Sequence, residues 1–374
     1  MPSGRQTKGR TWIGRLALAL ALVAGGAIAA GHAQDLRFFR IGTGSTSGTY
    51  FPIGGIIASA ISNPPGSRQC ERGGSCGVPG LIAVVQSTNA SVANLEGIVD
   101  STLDSGFAQA DIAYWAYHGT GIFTDSGEMK ELRAISNLYP ESLHLVVRVD
   151  ARIRSIQDLK GKRVSIDRAG SGTQVDARLV LDAFDVAVSD FEAFEVGLGE
   201  AADMMMAGEL DAFFMVAGTP ANAIIELATQ TPITLVPIDG EPIDKLLEDY
   251  PFFDRDIILS GVYRNVGATP TLSVGAQWIT STRIDAETVY QITRALWHAN
   301  TRHLLDKGHP KGRLITLDTA LNGVAIPLHE GAERYYREIG VLGPDEPAPG
   351  TKKAASDGGE DGAEGEEGDA ETGG

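Results

Sequence analysis

The chain is poor in the residues that most often carry chemistry, with two cysteines and seven histidines among 374 residues. The histidines are His32, His118, His144, His298, His303, His309 and His329. None falls in a metal-binding spacing such as HExxH, and no GxSxG motif places a serine nucleophile. Aspartates and glutamates are plentiful, but no spacing singles out a catalytic pair. We therefore predict no catalytic residue, no metal, no cofactor and no enzymatic activity.

Long apolar runs are also missing, apart from one near the start of the chain. Leu16–Ala30 reads LALALALVAGGAIAA, which is shorter than the ~18 residues that a membrane-spanning helix needs. Four basic residues precede this run, and the GHA that follows offers small residues to a signal peptidase, with cleavage after Ala33. We predict a signal peptide over residues 1–33 and a periplasmic location, with a membrane anchor as the alternative.

Basic charge is scarce along the whole chain. The sequence has 48 acidic and 31 basic residues, for a net charge of −17, so no nucleic-acid partner is expected. The segment Asp345–Gly374 contains no aromatic and no large aliphatic side chain. Because it cannot bury enough apolar surface to fold, we predict a disordered acidic tail over residues 345–374. Its expected role is to keep the protein soluble, and a docking role is the alternative.

The two cysteines, Cys70 and Cys76, enclose the segment CERGGSC in a stretch rich in glycine and proline. In an exported protein this pattern favours a disulfide that closes a short surface loop. Closing a loop of this length contributes about 2 kcal/mol in the chain-entropy model. A metal site is the alternative, although the neighbouring sequence offers no histidine and no further cysteine.

Between the two ends, residues 34–344 alternate between strand and helix patterns. Thr49–Ser62 has apolar residues at helical spacing, with Pro52 in the first turn, where proline is tolerated. We expect Ser91 to cap the next helix and two strands to flank the turn NLYPE. The alternation predicts βαβ units, an α/β class with mainly parallel sheets, and room for two domains.

One local pattern occurs twice: a strand, a turn with Ser-Gly-Thr, and then a helix. The first copy is Ser47-Gly48-Thr49 and the second is Ser171-Gly172-Thr173. A helix start leaves backbone N–H groups unpaired, and the helix dipole adds partial positive charge, so such a turn can hold an anion. The first turn lacks the GxGxxG spacing of dinucleotide sites, and neither turn has the lysine of a P-loop. The sequence therefore predicts two anion-binding turns that face one cleft.

Several stretches, in this order, resemble the TAXI-type solute receptors of TRAP transporters, the extracytoplasmic binding proteins of sodium-coupled tripartite uptake systems. They are IGTGSTSGTYFPIGG, SVANL, DSGFAQADIAYWAYHG, LRAISNLYPESLHLVVR, SIQDLKGKRVSID with GSGT, and GELDAFFMVAGTPANAI. The resemblance runs over about Phe39–Leu342. The chain departs from the family pattern at Ala90, where family members often carry glycine, in the CERGGSC insert and in the acidic tail.

The resemblance implies a two-domain periplasmic binding protein fold, type II-like, with a ligand cleft between domains joined by a hinge. Domain 1 would comprise residues 34–142 plus 261–344, and domain 2 residues 143–260. Because the chain would cross between domains more than once, the domains could close on a ligand as hinged bodies.

The resemblance also implies a function. The protein would capture a small carboxylate such as glutamate, glutamine or a related dicarboxylate, and deliver it to integral-membrane TRAP transporter subunits, which in some systems are fused. We expect it to act as a monomer. The alternatives are a binding protein for another metabolite that serves an ABC-type transporter or a sensor kinase, and an exported α/β hydrolase.

The residues expected to meet the ligand combine the two turns with positions that the resemblance places at the same crevice. They are Ser47, Gly48, Thr49, Tyr50, Asn89, Ser91, Gln109, Tyr139, Arg168, Ser171, Gly172, Thr173 and Thr219. Arg168 could bind a carboxylate through both prongs of its guanidinium, or it could point to solvent. For Ser91 the alternative role is helix capping, and for Tyr50 it is core packing.

Overall fold

The structure, a computed structural model, describes residues 36–350. The predicted signal peptide and residues 351–374 of the predicted tail lie outside the described residues. Residues 345–350, at the start of that tail, form turns, and the Glu346 carboxylate accepts a hydrogen bond of 3.1 Å from the Gly343 N–H. Within residues 36–350, no helix combines the length and apolar character needed to cross a membrane.

The described chain alternates between strands and helices, as the sequence patterns predict. The strands are β1 Arg37–Gly42, β2 Ser62–Asn63, β3 Val78–Pro79, β4 Leu81–Gln86, β5 Ser105–Gln109, β6 Leu132–Arg148, β7 Arg163–Ser165, β8 Glu192–Phe194, β9 Ala212–Ala217, β10 Ile233–Leu235, β11 Phe253–Ile258 and β12 Thr269–Ser281. The α-helices are α1 Tyr50–Ile61, α2 Ser91–Val99, α3 Ala110–His118, α4 Gly172–Ala183, α5 Leu198–Met206, α6 Asn222–Gln230, α7 Glu241–Asp249, α8 Ala286–Leu296, α9 Ala299–Gly308 and α10 Glu330–Glu338.

Ten of these strands form one sheet, and helices pack against it. The main path of the sheet is β4-β1-β5-β12-β6-β9-β7-β8, with β10 paired to β6 and β11 paired to β12. The predicted α/β class is confirmed. The prediction of mainly parallel sheets is wrong, because β12 and β6 run antiparallel to each of their neighbours and only the two ends of the sheet are parallel.

The segment NLYPE is not a turn, so the expectation of two strands flanking a turn is corrected. It lies inside β6, a single strand of 17 residues. Pro140 is tolerated there because β6 pairs with β9 only from Ser142 onward, so its missing N–H leaves no gap on that side. The register of β6 against β12 also shifts beside Tyr139, which is the kind of irregularity where proline is found.

Three clusters of buried apolar residues fill the space between sheet and helices. The first cluster takes its members from residues 39–139 and 276–342. The second and third take theirs from residues 143–274, with Ala110 as the one exception. Strands β6 and β12 are the segments that run from one region to the other. The domain boundaries of 34–142 with 261–344 and of 143–260 stay a prediction, and this partition of the core is consistent with them.

Cys70 and Cys76 are joined by a disulfide in the loop that follows α1. A histidine from a distant part of the chain lies beside this disulfide. The Nε2 of His298 lies 3.8 Å from the sulfur of Cys70, although 228 positions separate the two residues. The Asn300 amide nitrogen lies 3.0 Å from the sulfur of Cys76, so the start of α9 covers this loop.

Candidate functional site

A cleft of about 340 Å³ opens where the strands of the sheet end and helices begin. Its size falls within the range of small-molecule sites, about 300–1,000 Å³. One wall is formed by residues 44–46, 48–50, 87–90, 109 and 141, and we call it the first wall. The opposite wall is formed by residues 167–168, 172–173, 197–200 and 215–217, and we call it the second wall.

Five helices begin at this cleft. The first wall contains the starts of α1, α2 and α3, and the second wall contains the starts of α4 and α5. The first N–H groups of a helix have no partner within the helix, and the helix dipole places partial positive charge at the same end. Because all five ends face one space, the cleft is rich in donors for an anionic group.

The first predicted turn lies at the cleft, and its residues differ in role. Gly48, Thr49 and Tyr50 line the cavity. The Thr49 hydroxyl is committed elsewhere, since it donates a hydrogen bond of 3.0 Å to the Gly218 carbonyl. Ser47 does not line the cavity, but its hydroxyl lies close to Gly199 of the second wall.

The second predicted turn faces the first, and its hydroxyls mainly hold the turn. Ser171 caps α4, because its hydroxyl oxygen accepts a hydrogen bond of 3.0 Å from the Gln174 N–H. The hydroxyl oxygen of Thr173 accepts a hydrogen bond of 3.0 Å from the Val216 N–H. Gly172 and Thr173 line the cavity, whereas Ser171 does not. A Cβ at Gly172 would lie 1.7 Å from the side-chain oxygen of Gln109, so any other residue there would displace the Gln109 amide.

Three further predicted residues line the cleft, and each has a protein partner. The Asn89 amide donates a hydrogen bond of 3.1 Å to the Ala169 carbonyl on the opposite wall. The Gln109 amide donates a short hydrogen bond to the carboxylate of Asp176. Arg168 pairs with Glu200 at 3.0 Å, and both side chains are about half exposed at the mouth of the cleft. The guanidinium of Arg168 is therefore neither buried nor directed only to solvent.

The other predicted residues do not line the cavity. Ser91 is fully buried and donates to the side-chain oxygen of Gln109 at 3.2 Å. The expectation that Ser91 caps α2 is wrong, because the N-cap is Ala90, at φ 71°. Tyr139 is buried within β6, and the Thr219 hydroxyl donates to the Ser142 hydroxyl at 2.9 Å. Whether any of the thirteen residues contacts a ligand stays a prediction.

The cleft also contains carboxyl groups that the sequence reasoning missed. Glu141 lines the cavity but is almost completely buried, and burial raises the pKa of its carboxyl to about 8. Its neighbours include the Tyr50 hydroxyl and Lys311, and both act against the effect of burial on its pKa. Burial likewise raises the pKa of Asp167 on the second wall. At neutral pH, Glu141 is therefore mainly uncharged.

The start of α5, residues 197–200, was also missed. The segment Gly197-Leu198-Gly199 follows β8 and leads into a helix, so it repeats the strand, glycine turn and helix order of the two predicted turns. The pattern of a strand, a glycine-containing turn and a helix also predicts this turn, provided that Ser and Thr are not required in it. Glu141 had no comparable signal, because its place depends on β6 continuing through Pro140.

The lining of the cleft is polar and offers many hydrogen-bonding groups. Among the lining residues within the described part of the chain, none is a histidine or a cysteine. The serine and threonine hydroxyls of the lining therefore have no imidazole or thiol beside them among the lining residues. The walls instead offer helix starts, hydroxyls and amides, which suit recognition of a polar solute.

Solved structures that this chain resembles are distant. The alkanesulfonate-binding protein SsuA from Xanthomonas axonopodis pv. citri, bound to MOPS, is 15% identical with a TM-score of 0.40, and the match covers 73% of this chain and 78% of that one. The putative L-cystine ABC transporter from Listeria monocytogenes is 12% identical with a TM-score of 0.43, and the match covers 75% of this chain and 98% of that one. Likenesses at this level assign no ligand.

The family of the chain differs from the one that its motifs suggested. Membership of the TAXI-type receptors was wrong, and so the TRAP membrane subunits implied by it are withdrawn. The stated preference for glutamate, glutamine or a related dicarboxylate came from the same resemblance and loses that support. The family model that matches this chain covers residues 41–340, and on that match the protein belongs to the NMT1-like family.

Proposed function

We propose that this protein is an extracytoplasmic solute-binding protein. It captures a small anionic molecule in the cleft between the two walls and presents it to the membrane subunits of an ABC-type importer. Two of the distantly similar proteins are described as ABC-type components, a putative L-cystine ABC transporter from Listeria monocytogenes and a ligand-binding component of an import system from Staphylococcus aureus. The solute leaves the cleft chemically unchanged.

The observation that carries this proposal is the meeting of five helix starts at one cleft of about 340 Å³. Micromolar affinity requires about 8 kcal/mol. A hydrogen bond to a charged group contributes about 1.5–3 kcal/mol, and a favourable helix end adds about 0.3–2 kcal/mol. Four or five such bonds therefore reach micromolar affinity after the cost of ordering and closure.

The carboxyl groups of the cleft do not oppose an anion as strongly as their number suggests. Burial raises the pKa of Glu141 to about 8 and also raises the pKa of Asp167. A protonated carboxyl has no charge and offers an O–H donor. Glu200 is paired with Arg168, so its charge is partly balanced at the mouth of the cleft.

The solute class can be found by a thermal-shift panel on the purified full chain. The panel contains MOPS as an alkanesulfonate, glutamate, glutamine, succinate, cystine and an uncharged sugar. We expect at least one anionic compound to raise the Tm, because a ligand that binds only the folded state stabilises it. Native mass spectrometry of the protein as purified gives an independent reading of any solute that it already carries.

A charge variant tests the site itself. Thr46 lines the cleft and is exposed, so Thr46→Asp adds a negative charge there without disturbing the core. We expect the affinity for the identified anion to fall about tenfold or more. Thr124→Asp, at an exposed position outside the cleft lining, is the matched control and should leave affinity unchanged. Equal affinity in both variants, or binding of the uncharged sugar alone, would contradict the proposal.

A further inference from the structure

Two buried carboxyl groups meet behind the cleft. Asp111 lies in the first turn of α3 and Asp176 lies in α4. Their exposed fractions are 0% and 1%. The two carboxyl groups are neighbours of each other, although their residues are 65 positions apart in the sequence.

These carboxyls lack the donors that buried oxygens require. Within residues 36–350, no hydrogen-bond donor is bonded to either oxygen of Asp111 or to Oδ1 of Asp176. Only Oδ2 of Asp176 has a partner, the amide of Gln109. Two ionised carboxylates in contact and out of water would repel each other strongly, and buried oxygens without donors are costly. One proton held between them removes the repulsion between two negative charges and provides one O–H donor for the facing oxygen.

The pair joins the two walls. Most of α3 packs in the first apolar cluster, whereas α4 packs in the second. Gln109 lines the cleft, and its side chain accepts from Ser91 at the start of α2 while it donates to Asp176 of α4. The carboxyl pair is therefore one layer behind the cavity, at a place where separation of the walls would pull its two members apart.

We propose that Asp111 and Asp176 form a proton-binding site that spans the two walls, sharing one proton when the walls are together and releasing it when they separate. Burial first, and then the charge of Asp111, raises the pKa of Asp176. Burial also raises the pKa of Asp111. Once separated and hydrated, each carboxyl would return toward the usual pKa of about 4 and ionise at pH 7.

The other charged groups near Asp111 and Asp176 do not take the place of the shared proton. Glu141 is the further acid beside Asp176, and when it is ionised it disfavours ionisation of the pair. Lys311 is the nearby cation, but it acts on Glu141, and its ammonium donates to the Pro140 carbonyl at 2.8 Å. The backbone amides of Asp111 and Ile112 lie near the Asp111 carboxyl and act to lower its pKa, but neither makes a hydrogen bond to it, and the effect of burial is larger.

The shared proton should stabilise the closed cleft at low pH more than at high pH. A carboxyl whose pKa is raised in the closed state stabilises that state at low pH, and this contribution is lost as pH rises through the raised pKa. Closure at neutral pH takes up about one proton per molecule. The coupling of this proton to solute capture rests on the proposed function, but the shared proton itself can be tested without any solute.

The first experiment detects the proton by infrared spectroscopy of the full chain at pH 7. We expect a protonated-carboxyl band in the wild type that is weaker in both Asp111→Asn and Asp176→Asn. In each variant an amide N–H replaces the proton as donor, so folding should be retained. Asp125→Asn changes an exposed aspartate and should leave the band unchanged. The Glu141→Gln variant loses only the part of the protonated-carboxyl band that Glu141 contributes. Adding Asp111→Asn to that variant should weaken the remaining band further.

The second experiment follows wall separation by amide hydrogen exchange. The Ala93 N–H donates to the Gly170 carbonyl at 3.1 Å across the cleft, so its exchange reports opening. As pH rises through the neutral range, exchange in the wild type should accelerate about tenfold per unit more than in Asp111→Asn, because one proton is lost on opening.

Two results would overturn the proposal. One is an identical pH slope in the wild type and in both asparagine variants. The other is a wild-type slope that disappears when sodium is replaced by choline, because a metal cation would then occupy the place of the proton.

Discussion

The Thr49 hydroxyl donates a hydrogen bond of 3.0 Å to the Gly218 carbonyl, across 169 positions of sequence. Thr49 belongs to the first wall, and Gly218 directly follows strand β9 of the second. This bond is buried, so its loss leaves the Gly218 carbonyl without a partner while the walls are together. It is thus one of the direct contacts that favour the closed cleft.

Thr49→Val should therefore weaken closure. Valine keeps the shape of threonine but cannot donate, and an unpaired buried carbonyl costs about 1–3 kcal/mol. We expect the exchange of the Ala93 N–H to accelerate about fivefold or more at constant pH. Thr124→Val, which changes an exposed threonine, serves as control. Unchanged exchange in Thr49→Val would show that this bond does not hold the walls together.

Ser171→Ala should lower stability and not only ligand affinity. The Ser171 hydroxyl caps α4, and removal of such a cap costs about 1 kcal/mol. Urea unfolding should show a lower midpoint with an unchanged slope. Ser126→Ala, at an exposed serine, is the control. If Ser171→Ala weakened solute binding while its unfolding curve matched the wild type, the hydroxyl would act on the solute and the cap would be unimportant.

Ala90→Gly should stabilise the protein. Ala90 has φ 71° and ψ −137°, a backbone conformation that costs a residue with a Cβ about 1–3 kcal/mol. Glycine relieves this strain at some cost in unfolded-chain entropy, so we expect a net gain of about 1 kcal/mol. Ala93→Gly, inside α2, should lower stability by about 1 kcal/mol. Equal losses in the two variants would mean that Ala90 is not strained.

His144 should make the protein less stable in acid. Its Nδ1 donates to the Ser142 carbonyl at 2.8 Å, and its Nε2 lies 3.0 Å from the Tyr263 hydroxyl, which can donate to it when the ring is neutral. Burial lowers the pKa of His144 to about 4. Its contribution to stability is therefore complete above the usual pKa of about 6.5 and is lost as pH falls toward 4.

The comparison of wild type with His144→Gln isolates this effect. Between pH 7 and pH 4, the free energy of unfolding of the wild type should fall by roughly 3 kcal/mol more than that of the variant. Urea titrations at several pH values give the two curves. His303→Gln, at an exposed histidine, should follow the wild type. Parallel curves for wild type and His144→Gln would mean that the ring accepts a proton in the folded state.

The sequence predicted those parts of the fold that depend on local pattern. Helical spacing placed α1 to within one residue at each end, and alternation of strand and helix gave the α/β class. What it could not give was the direction of strands that pair across long separations. The antiparallel placement of β12 between β5 and β6 depends on contacts between residues more than 130 positions apart, and no local pattern records them.

In the candidate site too, local features were predictable from the sequence and long-range contacts were not. The two Ser-Gly-Thr turns were found because a helix start is a local feature, and both turns reach the cleft. The roles of individual hydroxyls were not predictable, since Thr173 and Thr49 bond to backbone groups 43 and 169 positions away. The buried carboxyls of Asp111 and Glu141 were missed for a related reason. Their burial depends on how distant segments pack together, and the neighbouring sequence does not indicate it.

Strands β6 and β12 pass side by side between the two core regions, paired from Leu132 with Ser281 to Ser142 with Ser273. Two separate flexible linkers would let each region tumble, but a hydrogen-bonded ribbon resists stretching and sideways sliding. Twist about its own long axis is the motion that disturbs its pairing least. If the walls open and close as proposed, twist of this ribbon would bring the same wall residues back to the same partners each time.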